Sequence, residues 1–188
     1  FGLASRDMAI ASGGLSIALS LGGMRNLAHY YQRRAITLGE TTDAWTQGMA
    51  YLLAAVQATT IGDWPRTIRQ SETAADIFTS IGEHYRFVTS TVMLAYGRLA
   101  FGELAAARAL LLPFGEFAEV LDNPPARGWT LMARALMDLM SGASPATALE
   151  RLDLVQEKWL SAGERVMWHC LIGAAAFAAG DHSRAAHE

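Results

Sequence analysis

Apolar and polar residues never alternate along this chain in a run enriched in β-branched side chains, so no strand is predicted. Apolar residues recur instead at helical spacing, in stretches closed by glycine and reopened at once by helix-forming sequence. Five of these glycines, Gly22, Gly62, Gly102, Gly142 and Gly180, stand 40, 40, 40 and 38 residues apart. A fixed period of that size marks a helical array, in which each unit buries its apolar face by stacking on its neighbours. The pattern predicts helices over 5–21, 24–38, 43–61, 65–81, 85–101, 103–121, 127–141, 144–162, 165–179 and from 182 onward. Asp43 and Ser144 are placed to cap, and Pro65 and Pro145 stand in first turns where a missing N–H costs nothing. Asn123, Pro124 and Pro125 are expected to break the chain between helices.

The same columns repeat from unit to unit. Seven residues before the glycine stand Ala55, Ala95, Ala135 and Gly173, and five after it stand Thr67, Ala107, Thr147 and Ala185. Small side chains there let the two helices of a hairpin cross closely. The first unit has Leu15 and Leu27 in these columns and is either degenerate or shifted by one, since Ala28 follows. An aromatic residue, Trp45, Phe87, Trp129 or Trp168, opens the first helix of successive hairpins and is expected to wedge between neighbouring repeats.

These small columns, the Gly-Asp or Gly-Glu turns ("GDW", "GEL", "GDH") and the early aromatic resemble the tetratricopeptide repeat, with units of about 40 residues where the standard unit has 34. Lengthened units of this kind are similar to the helical arrays of large bacterial multidomain regulators, which join an ATPase module to such an array and to a cyclase or DNA-binding effector. The resemblance implies an all-α superhelix of antiparallel hairpins. It also implies a protein-interaction or sensory segment with no catalytic residues of its own. No cofactor is expected, and the lone Cys170 fits a reducing compartment, with the cytoplasm as the default. The expected organisation is a single repeat domain over 1–188, cut from a longer array.

Composition adds limits. At 52% hydrophobic and 18% charged, the 188 residues suffice for a continuous core. A net charge of −3, with the basic residues dispersed, gives no field for collecting phosphates, so nucleic-acid binding is not expected. The uncharged stretch from Met8 to Met24 contains four glycines and three serines and reads as a buried repeat helix, not a membrane span. A lone Cys170 excludes an internal disulfide and, with His169 beside it, makes no zinc site. Gly13-Gly14 and Gly22-Gly23 lack the strand before and the Lys-Ser/Thr after that a phosphate loop needs. Glu116/Glu119 and Glu150/Asp153/Glu157 read as a charged outer face, and Arg98 and Asp138, in one column, as a pair across the repeat interface.

In tetratricopeptide arrays the first helices line the concave side. Aligning the glycines puts Leu52, Val92, Met132 and Cys170 in one groove column, Val56, Tyr96, Leu136 and Ala174 in the next, and Thr59, Leu99, Leu139 and Phe177 in a third. The contacts expected to carry binding are Val92, Tyr96, Met132 and Leu136, from the two middle hairpins. A mostly apolar groove suits an amphipathic helix of a protein or peptide partner, or of another domain of the same chain; the alternative is a small apolar or amphipathic ligand.

Overall fold

The computed structural model describes residues 2–120, 124–160 and 162–187, with side chains described outside 2–4, 114–120, 126, 162–164 and 166. The described residues form an array of α-helices and contain no strand: α1 (Gly2–Leu21), α2 (Arg25–Glu40), α3 (Ala44–Thr60), α4 (Trp64–Ser80), α5 (His84–Ala100), α6 (Leu104–Val120), α7 (Pro124–Met140), α8 (Pro145–Asp153), α9 (Ala162–Ala178) and α10 (His182–His187). The chain falls into two compact units, Phe1–Phe101 and Gly102–Glu188. In the first, each of α1 to α5 packs on its neighbour in sequence, and α3 also touches α1 and α5. In the second, α6 to α10 pack in the same serial way, and α7 also touches α9. This serial, neighbour-to-neighbour packing is that of a helical repeat.

The turns explain the period. At Gly62 the backbone takes φ +72°, which costs a residue without a Cβ nothing. The N–H of Gly62 then donates to the Thr59 carbonyl (3.1 Å) and that of Asp63 to the Ala58 carbonyl (2.9 Å), closing α3. The Asp63 carboxylate accepts the Arg66 N–H (3.2 Å) and opens α4. One Gly-Asp dipeptide therefore ends one helix and starts the next. Asp181 does the same for α10, accepting the Arg184 N–H at 3.0 Å.

Two features of the turns go beyond the 40-residue frame. Gly82 is also left-handed, at φ +69°, so helices begin at residues 44, 64, 84, 104 and 124, every 20 residues, and the 40-residue unit is two such steps. In the first turn the left-handed residue is Gly23, φ +76°, not Gly22. The first repeat is thus shifted by one. Its small columns are Ser16 and Ala28, both fully buried, while Leu15 and Leu27 are exposed.

Small residues occupy the crossings as expected. Ala55, Ala95, Ala135, Thr67 and Ala107 are fully buried, and the Thr59 and Thr67 hydroxyls meet at 3.2 Å across the α3–α4 hairpin. In the fourth hairpin Ala148, one residue beyond the expected Thr147, is the buried one. The core of the second unit gathers Met132, Ala135, Ala148, Leu152, Val155, Leu160, Ile172 and Ala175, with the aromatic wedges Trp129 and Trp168 packed on it.

α1, α7 and α9 each begin three residues before the expected start, and α8 ends nine residues early; the differences at α7 and α8 have a physical cause. Pro124 does not break the chain but opens α7, since the first helical position needs no N–H; Asn123 lies outside the described residues. The helix expected over 144–162 stops at Asp153 and is followed by a 3-10 turn, Glu157–Trp159. The Leu152 carbonyl, which a continuing helix would offer to residue 156, is taken by the Val155 N–H (3.1 Å) and the Trp168 indole N–H (3.1 Å). The freed chain seats Leu160 beside Gly128, where an added Cβ would stand 3.2 Å from the Leu160 methyl.

Candidate functional site

The four residues expected to line a binding groove fall two in each unit. In the first, Val92 is fully buried, and Tyr96 is half-buried with a hydroxyl that is itself buried and has no hydrogen-bond partner. Burial holds that phenol well above its ordinary range, because the ionised form would lose its hydration. In the second, Met132 is fully buried in the core and Leu136 is half-buried. Val92 and Met132 therefore offer no surface to a ligand and serve packing. The same columns open only at α9, where Cys170, Ala174 and Phe177 are exposed and Phe177 packs on the His182 ring at 5.4 Å.

The polar pairings are local. Arg98 bonds Glu72 on α4 (3.0 Å), while Asp138 bonds Arg151 on α8 (2.6 Å). The acidic residues expected on an outer face behave as such. Glu150 is exposed, Asp153 bonds Arg184 at 2.5 Å, and Glu157 bonds Arg165 at 3.1 Å; the side chains of Glu116 and Glu119 lie outside the described residues. No group of three His, Cys, Asp or Glu among the described residues could hold a metal ion, and no helix among them is long and apolar enough to cross a membrane. Gly13, instead of cradling phosphate, lets α3 approach: an added Cβ would stand 2.6 Å from the Leu53 methyl.

Two surfaces were not anticipated from sequence. The first is apolar and lies on the α1–α2 hairpin, where Leu21, Met24, Leu27 and Tyr30 are 73%, 49%, 50% and 51% exposed and Met8 and Leu15 also reach solvent. Arg25, Arg33 and Arg34 are exposed beside them, and the Arg34 guanidinium lies 4.0 Å from the Met8 sulfur. Isolated exposed leucines are ordinary, but half of the large exposed hydrophobics among the described residues falling within residues 8–30 is a concentration. The one-residue shift of the first repeat hid it, because it moves Leu15 and Leu27 from the crossing to the surface.

The second is a cleft of about 610 Å³ within the second unit. One face of α6 contributes Leu104, Ala105, Arg108 and Leu112; one face of α7 contributes Arg134, Met137 and Asp138; Ser141 and Ala143 from the turn after α7, and Arg151 from α8, complete it. Arg134 donates to the Leu112 carbonyl (3.2 Å), just before Pro113, and is held across the cleft. Arg151 uses its Nε for Asp138, so its two terminal nitrogens stay available. Arg108 is exposed and has no partner among the described residues. Sequence gave no signal for this cluster, because its three arginines are 26 and 17 residues apart and share no repeat column.

No protein-family model, no curated protein and no solved structure matches this chain.

Proposed function

We propose that this chain is a non-catalytic scaffold, a tetratricopeptide-like superhelix that holds a protein partner as the recognition segment of a larger regulator. The observation that carries the reading is the apolar surface on α1–α2, rimmed by Arg25, Arg33 and Arg34. Exposed apolar area of this kind is costly to leave in water and is covered in a complex at a gain of ~25 cal/mol per Å² before ordering costs. Leu27, Tyr30 and Arg34 stand at i, i+3 and i+7 on α2, the spacing with which one helix receives another. The occupant that fits is an amphipathic helix with acidic residues flanking its apolar face, since arginines on the rim steer and orient such a partner.

The test is a comparison of baits. A protein captured by the wild-type chain is purified, then titrated against wild type, Leu27→Asp, Tyr30→Ala and the outer-helix control Asp76→Ala. Saturable binding that weakens about tenfold or more in Leu27→Asp and Tyr30→Ala, and is kept in Asp76→Ala, is the expected result. A partner that binds both α2 variants as well as wild type removes this surface from recognition. If it instead releases Leu136→Ala, contact lies in the groove columns.

A further inference from the structure

We propose that the α6–α8 cleft binds a small amphipathic organic anion, its carboxylate or phosphate head held by Arg108 and Arg151 and its carbon chain lying along Leu104, Leu112 and Met137. This site is separate from the partner surface on α1–α2 and independent of that assignment.

Charge comes first. The chain carries a net charge of −3, yet the residues lining this cleft comprise three arginines against one aspartate. Like charges gathered in a concave site repel, and low-dielectric walls make the repulsion stronger than on open surface. Asp138 offsets only part of it, being engaged with Arg151 through Nε at 2.6 Å. That pairing fixes the Arg151 guanidinium while leaving its terminal N–H groups to donate. A preset planar fork of this kind suits the paired oxygens of a carboxylate or phosphate. Arg108, which has no partner among the described residues, supplies a second cation from α6.

Shape and polarity then select the rest of the ligand. A volume of about 610 Å³ falls within the range of small-molecule sites, roughly 300–1,000 Å³. An inorganic ion would leave most of it unfilled. Leu104 and Met137 are half-buried and Leu112 is 56% exposed, so a short carbon chain would cover apolar surface that water now wets. Met137 is an adaptable lining residue, because its unbranched thioether repacks around chains of different shape.

Thermal unfolding of the full chain tests the proposal, since a ligand of the folded state raises the midpoint with the logarithm of one plus the ratio of ligand concentration to Kd. The probes are hexanoate, hexyl phosphate, inorganic phosphate and hexyltrimethylammonium, each at matched ionic strength. The expected result is a rise with hexanoate or hexyl phosphate that becomes linear in the logarithm of concentration above Kd, the stronger of the two identifying the head group, a weaker rise with inorganic phosphate and none with the cation. Arg108→Glu should weaken the hexyl anions about tenfold or more, whereas Arg69→Glu, on exposed α4 surface, should leave them unchanged. Leu112→Ser should weaken the hexyl anions but not inorganic phosphate. Equal affinity in Arg108→Glu and wild type, or no rise with either hexyl anion, overturns the site; a rise with inorganic phosphate equal to that with hexyl phosphate overturns its apolar half.

Discussion

The Phe78 ring fills the space that a side chain at Gly48 would need: a Cβ built on Gly48 would stand 2.8 Å from two ring carbons and 3.2 Å from the Ile77 methyl. Gly48 is buried in α3 and Phe78, in α4, is fully buried, so neither partner can move aside cheaply. The pair shows how this array achieves close packing with short side chains. Helices approach until one presents almost no surface, and the other fills the gap with a large one.

Gly48→Ala is therefore expected to destabilise the first unit by ~1–2 kcal/mol, because overpacking outweighs the ~1 kcal/mol that alanine gains in helix propensity. Gly14→Ala makes the same change on α1, where nothing lies within 4 Å, and should stabilise by ~0.5–1 kcal/mol. Denaturant midpoints with unchanged slopes measure both. Equal signs for the two variants would remove the packing explanation, and Phe78→Leu should relieve part of the Gly48→Ala penalty in a double-mutant cycle.

Tyr96→Phe is expected to hold or raise stability, by up to ~1–3 kcal/mol. The hydroxyl is buried without a partner, and an unsatisfied buried donor carries its full desolvation penalty. Its phenol should also fail to ionise in the native state at pH values where free tyrosine does, as burial disfavours the phenolate. Ultraviolet titration of wild type against Tyr96→Phe reads this directly: a tyrosine lost from the normally titrating set would contradict it.

Asp43 caps α3, its carboxylate accepting the Thr46 N–H at 2.9 Å and the Thr46 hydroxyl at 3.0 Å. The Thr46 backbone hydrogen bond, foremost, holds its pKa below the ordinary value of 3.8. A depressed folded pKa gives stability that is fully present above the unfolded value and is lost as pH falls through the folded one. Wild type should thus lose an increment below pH ~4 that Asp43→Asn, which caps without titrating, keeps. At neutral pH Asp43→Ala should cost ~0.5–1 kcal/mol, the low end for caps, given the exposure of the site. Parallel stability profiles for wild type and Asp43→Asn from pH 7 to pH 3 would deny the cap its role.

Much of the helical array is determined by the sequence alone, because its signals are local. A left-handed glycine ends one helix, and an aspartate after it, as at Asp63 and Asp181, caps the next within three residues, so helix boundaries can be read without knowing what packs where. Ala55, Ala95 and Ala135 are legible as crossing points because a small residue recurs in the same column before each turn glycine. Only the tertiary structure decided where α8 stops, because the indole that takes the Leu152 carbonyl comes from α9, 16 residues on. It also decided the sites. Val92 and Met132 look like groove residues in an aligned column, yet apolar residues on a groove and in a core obey the same periodicity, and burial alone separates them. Arg108, Arg134 and Arg151 are unremarkable in sequence and become a cluster only because α6, α7 and α8 turn the faces that bear them toward one cleft.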